Sequence, residues 1–174
     1  MATRARSEEG FTVIELVAAI SVISIALLAL LASYDQAFFS LHTSAKASSA
    51  GLIADQQLEL YAALPYASRG LDNSTLSSVK ASDATYLSDE NSLPGSGTEV
   101  RITNCGSSPQ CSPVQTVTGS DGHSYKLETF VRTLVNPNTS SWTEKVVTVI
   151  VRDLSESGSP KVVTMQTAFD PGPP

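Results

Sequence analysis

The chain of 174 residues contains only two cysteines and two histidines, and its 11 lysines and arginines are outnumbered by 17 aspartates and glutamates. Two sulfurs do not complete a tetrahedral zinc site, and His123 stands at a poor spacing to supply a third ligand. No Gly-x-Ser-x-Gly elbow and no phosphate-cradling Gly-Lys-Ser/Thr loop occurs, so no catalytic constellation emerges and no cofactor is implied. The net charge of −6, with no cluster of basic residues, argues against nucleic acid as a direct partner. Two gaps matter more. Lysine and arginine are missing between Arg6 and Lys46, and proline is missing from residues 11 to 64.

The first gap holds an apolar run from Phe11 to Ala32. At the helical rise of about 1.5 Å per residue it covers roughly 33 Å, enough to cross a bilayer core. Arg4 and Arg6 precede it, which by the positive-inside bias places residues 1–10 in the cytoplasm. The run is too long for a secretory signal peptide, and Leu30 and Ala32 make a poor small-x-small cleavage site. Within it stands Glu15, and a carboxylate in lipid costs roughly 2.5–3.5 kcal/mol on insertion scales. It therefore needs a partner or a function, unless it lies near enough to the surface to be solvated.

The string Glu8-Glu9-Gly10-Phe11-Thr12-Val13-Ile14-Glu15-Leu16, followed by the long apolar run, closely resembles the N-terminus of type IV prepilins and of type II secretion pseudopilins. The resemblance implies cleavage by a membrane prepilin peptidase after Gly10, N-methylation of the new terminal residue Phe11, and a role for Glu15 in filament assembly and register. Cleavage would leave an α-amine at the membrane end of the helix, with an ordinary pKa of about 7.7–8.0. A neighbouring subunit's Glu15 would compensate it. Because buried ion pairs often only recover their own desolvation cost, Glu15 is expected to set register more than net stability. Glu9 stands where many members carry a basic residue, and Ser24 and Ala32 stand where many filament-forming members carry glycine and proline.

The missing prolines predict one helix over residues 11–64, with 11–32 as transmembrane and assembly segment and 33–64 as an amphipathic outer half. Tyr34, Phe38, Leu41 and Ala45, then Ile53, Leu60 and Leu64, form its apolar stripe. Gly51 offers a bend, and Pro65 ends the pattern. Residues 65–96 read as a connecting loop because Gly70, Asp72-Asn73-Ser74, Asp89-Glu90-Asn91 and Pro94-Gly95 repeat turn chemistry. Their acidic groups lack the dense alternation of a calcium loop.

Residues 97–174 read as a sheet domain with strands at Glu99–Thr103, Gln115–Thr118, Tyr125–Val135, Glu144–Val151 and Lys161–Ala168. Hairpin turns are expected at Gly119–Gly122 and Ser155–Pro160, which makes the sheet mainly antiparallel. Cys105 and Cys111 flank a turn-rich interval on the side expected to face outward, so a disulfide is favoured over two free thiols.

The expected fold class is α+β, a long N-terminal helix packed by its outer half on a mainly antiparallel sheet. The expected function is a type IV pilus filament subunit, held first in the cytoplasmic membrane and then in a cell-surface filament. The expected partners are further copies of the chain, the prepilin peptidase, the pilus or type II secretion assembly machinery and the membrane. A minor pilin or secretion pseudopilin is the nearest alternative, and an N-terminally anchored extracytoplasmic binding protein is the alternative of another class.

Overall fold

The computed structural model describes residues 12–95, 97–103, 105, 108–135 and 143–171. Contacts divide the chain into two units, residues 1–43 and 44–174. The described part of the first is helical and belongs to α1 (Val13–Ala63), a single helix that continues into the second unit. It ends two residues before Pro65 and runs through Gly51 without interruption.

The second unit is α+β, as expected. After α1 come a short turn of 3₁₀ helix (Tyr66–Ser68), β1 (Leu71–Asp72), α2 (Asn73–Ser82), α3 (Ala84–Ser92), β2 (Thr98–Glu99) and β3 (Arg101–Ile102). A second 3₁₀ turn (Pro109–Cys111) leads to β4 (Val114–Thr118), β5 (Ser124–Val135), β6 (Thr143–Asp153) and β7 (Lys161–Phe169). The main sheet runs β2-β5-β6-β7, with β4 also on β5, and all its pairings are antiparallel. β1 and β3 form a separate parallel pair.

The segment expected to be an irregular loop holds α2 and α3. The residues that suggested turns are their caps: Asp72 accepts the backbone N–H of Thr75 at 3.0 Å, and Asp83 accepts those of Thr85 and Tyr86 at 3.1 Å. A short acidic side chain that bonds the backbone ahead of it can close a turn or open a helix, and tertiary packing decides which. Here Leu76 on α2 and Tyr86 on α3 are fully buried and hold both helices to the core.

The strand expected at Glu99–Thr103 is divided. Thr98 and Glu99 pair with β5, whereas Arg101 and Ile102 pair with β1. Val100 is the pivot: its N–H donates to Val131 O at 2.8 Å, and its C=O accepts from Leu71 N at 3.0 Å. The other strands lie within two residues of expectation, and Gly122 occupies the left-handed region (φ +81°) in the β4–β5 turn. That conformation is open to glycine at no steric cost.

Helices cover both faces of the sheet. Asp153 pairs with Lys46 of α1 at 2.8 Å, while its neighbour Arg152 bonds Asp89 of α3. Adjacent strand residues point to opposite faces, so α1 and α3 lie on opposite sides of β6. Every residue from Lys145 to Asp153 is consequently buried. Val147, Val149, Ile150 and Val151 are at most 1% exposed, each worth roughly 1.5–3 kcal/mol of hydrophobic burial.

On α1 the buried positions are Ser49, Ala50, Ile53, Ala54, Gln57, Leu58 and Tyr61. Of the expected stripe, Ile53 is in the core and Leu64 is half-buried, but Tyr34, Phe38, Leu41, Ala45 and Leu60 are exposed. The alanines, with little side chain to intervene, let the helix lie close to the sheet. Arg69 closes the far end of α1, its Nε donating to Tyr61 O at 2.8 Å and its Nη2 to Ala62 O at 3.1 Å. A cation on the orphan carbonyls of a helix C-terminus is favourable on both hydrogen-bonding and dipole grounds.

A Cβ added at Gly51 would meet nothing within 4 Å. Gly51→Ala is therefore expected to raise stability by about 0.5–1 kcal/mol through helix propensity alone, measured by denaturant unfolding of the full chain in detergent.

Candidate functional site

Residues 13–32 are apolar except for serine and one glutamate, and at about 1.5 Å per residue they span roughly 30 Å. Their side chains are exposed throughout, including Ile14, Val17, Ile20, Leu28 and Leu31. The helix is long and apolar enough to cross a membrane. Lipid offers no hydrogen bonds, so every polar group on such a segment must be satisfied internally. Ser21, Ser24 and Ser33 meet that demand by donating to the carbonyls of Val17, Ile20 and Ala29 at 2.8–2.9 Å.

Glu15 is the exception. It lies in the first turn of α1 with an exposed carboxylate, where the helix dipole favours negative charge. Thr12 Oγ1 donates to its Oε2 at 3.4 Å, and Thr12 O accepts the backbone N–H groups of Glu15 and Leu16, both at 3.1 Å. One hydroxyl at that distance does not compensate a full charge, and no cation pairs with Glu15 among the described residues. Gly10 and Phe11, the expected cleavage junction and methylation site, lie outside the described residues.

In the second unit, Cys105 and Cys111 form a disulfide with Cα atoms 6.1 Å apart. The loop it closes is clamped at Pro109, whose carbonyl accepts Gln57 Nε2 from α1 at 3.3 Å and Gln115 Nε2 from β4 at 2.7 Å. The crosslink therefore holds the entry to β4.

A buried charge cluster on the α3 side of the sheet was not legible in the sequence. Arg152 Nη2 bonds Asp89 Oδ2 at 2.5 Å, and its Nε reaches Asp89 Oδ2 at 3.1 Å and Glu128 Oε2 at 3.3 Å. Lys161 holds Asp89 at 2.7 Å, and Lys126 bridges Asp83 and Glu128 at 2.6 Å each. The signed charges of Asp83, Asp89, Glu128, Lys126, Arg152 and Lys161 cancel. Burial alone would raise Asp89, but hydrogen bonds from Lys161 and Arg152 hold it below the usual carboxylate range. Burial pushes Glu128 up, and neighbouring Asp89 adds to the shift against the pull of Lys126. Glu128 is thus the member of the carboxylate pair that takes the proton. Every anion here is matched by a cation, which is the arrangement of a structural network. Among the described residues, no group of histidine, cysteine and acidic side chains is placed to hold a metal ion.

The expected site residues thus fall in separate places: Glu15 on the first unit's exposed helix and the cysteine pair in the second unit. Compared with protein-family profiles, with curated proteins and with solved structures, the chain matches none.

Removing one partner of a buried ion pair strands the other, so Arg152→Met is expected to cost about 3–5 kcal/mol in denaturant unfolding. The pH dependence has two signs. Asp89 is depressed, so its contribution is present above its unfolded pKa of about 3.9 and is lost as pH falls through its folded value. Glu128 is raised, so its contribution grows as pH falls through its folded value toward about 4.3. Glu128→Gln should abolish the gain on mild acidification and leave the loss below about pH 4.

Proposed function

We propose that the chain is a structural subunit of a type IV pilus surface filament, cleaved after Gly10 and assembled through its N-terminal helix. Glu15 carries this reading. It is the one charge in a segment whose other polar groups are satisfied within the helix, and it has no cation of its own among the described residues. Moving it into lipid alone is unfavourable by roughly 2.5–3.5 kcal/mol. The α-amine created at Phe11 of a neighbouring subunit is the counter-charge that prepilin-type processing supplies.

The rest of the chain supports the same reading. An exposed apolar helix continuous with an α+β unit is what a subunit needs if its helix passes from lipid to a bundle of like helices. The disulfide suits an extracytoplasmic, oxidising side. The prepilin peptidase and the filament assembly machinery are the partners this role requires. A minor pilin or secretion pseudopilin is the second reading, favoured by one observation: α1 runs unbroken through Ser24 and Ala32, where many shaft-forming members carry helix-loosening residues.

Intact-mass comparison of the sheared-filament and membrane fractions tests these alternatives. The surface-filament reading expects an abundant sheared species starting at Phe11 with one added methyl. The same species confined to the membrane fraction would favour the second reading, and an uncut chain would favour an anchored binding protein. Glu15→Ala is expected to leave membrane insertion intact while cutting filament yield at least about tenfold, the equivalent of roughly 1.4 kcal/mol in subunit association. Wild-type yield from that variant would remove the register role.

A further inference from the structure

The main sheet ends in two open edges, and their chemistry is matched. Among the described residues β7 pairs only with β6, and β4 only with β5. Free edges are ordinarily blunted with charge or proline. β7 has neither from Val162 to Phe169, and β4 has neither along Val114–Thr118. Half-buried Val117 and Met165 pack partly against the core at these edges.

The pairing register shows which backbone groups face outward. Thr129 N–H donates to Pro113 O, away from β6. Hydrogen-bonding direction alternates along an antiparallel strand, so Val149, opposite Thr129, turns toward β7 and bonds Met165. Thr164, Gln166 and Ala168 then present their N–H and C=O groups to the open side. By the same alternation Val114, Thr116 and Thr118 face outward from β4, because Gln115 and Val117 lie opposite Leu127 and Tyr125. The Val114 carbonyl already accepts Ser112 Oγ at 2.8 Å, with a second lone pair to spare.

Resting on the filament reading, we propose that β7 of one subunit and β4 of the next pair antiparallel, with Thr116 opposite Gln166, joining the sheets of neighbouring copies. In this register Val117 meets Met165 and Gln115 meets Thr167 on the α1 face. On the other face Val114 meets Ala168 and Thr118 meets Thr164. Each apolar residue opposes an apolar one and each polar residue a polar one. Sliding by two residues sets Gln115 against Met165 in one direction or against Phe169 in the other.

β4 and β7 run in opposite directions within one sheet, so this pairing leaves both copies in the same orientation. It is a heterologous contact, which repeats along a helical assembly. A two-fold pairing of β7 with β7 would instead run residues 44–63 of the two copies in opposite directions, which subunits inserted alike in one membrane do not do.

The test uses the full chain expressed with its assembly machinery. The Cα atoms of a hydrogen-bonded antiparallel pair lie about 5.5 Å apart, within disulfide reach. Thr116→Cys together with Gln166→Cys is expected to give a ladder of oxidised oligomers beyond the dimer in sheared filaments, and neither single variant should. Gln166→Pro removes an outward N–H and spares the β6 ladder. It should leave the Cys105–Cys111 disulfide and the circular-dichroism spectrum intact while lowering filament yield about tenfold.

Filaments of normal yield from Gln166→Pro, or with no ladder from the double-cysteine chain, would overturn the edge pairing and leave the filament reading standing. A dimer from Gln166→Cys alone would overturn it in favour of two-fold pairing. Failure of the wild-type chain to enter filaments would overturn both readings together.

Discussion

A strand covered on both faces keeps its side chains out of water, and β6 is such a strand from Lys145 to Asp153. Its branched apolar residues accept this readily, but Lys145 and Arg152 are placed there too. Each must find oxygen ligands inside the protein, and those ligands organise what surrounds them. Arg152 draws α3 onto the sheet through Asp89. Lys145 donates to Tyr66 O at 2.7 Å and Arg69 O at 2.9 Å, tying down the turn after α1. Arg69 in turn caps α1. A buried cation thus acts as a positional constraint, since its desolvation is offset only when partners stand in the right places.

The helix of the first unit, long and apolar enough to cross a membrane, meets the same rule through its own backbone. On an apolar helix the hydroxyls bond backward to their own carbonyls, so one face of the helix is as suited to lipid as another. Glu15 cannot follow them. Among the described residues no cation answers it, and the proposed filament role rests on that observation. In the charge cluster of the second unit, by contrast, each carboxylate is met by a neighbouring cation.

Sequence and structure agree where a single physical signal dominates. The onset of the apolar run at Phe11 set the start of α1 to within two residues, and Pro65, a strong local obstacle to a helix, set its end to within one. β-branched alternation located the long strands. The reading failed at residues 65–96 because Asp72 and Asp83 serve equally well in turns and at helix starts. It also failed at Val100, where a strand that is continuous in sequence serves two sheets. On α1, Tyr34, Phe38 and Leu41 have the right spacing for burial but meet no sheet within their own unit, so of the stripe only Ile53 and Leu64 pack on the chain's own core.

By itself the sequence determined a membrane-length helix with one unanswered charge, a sheet-forming second half and a cysteine pair close enough to join. These follow from local hydropathy, local propensity and short separation along the chain. Only the tertiary structure decided that helices cover both faces of the sheet, that Arg152, Asp89 and Glu128 meet in its interior, and that β4 and β7 are left as open edges. Those outcomes depend on residues as far apart as Asp89 and Arg152 arriving at one place. Contacts of that range leave no periodic trace in a sequence, because their free energy is realised only when the whole sheet has assembled.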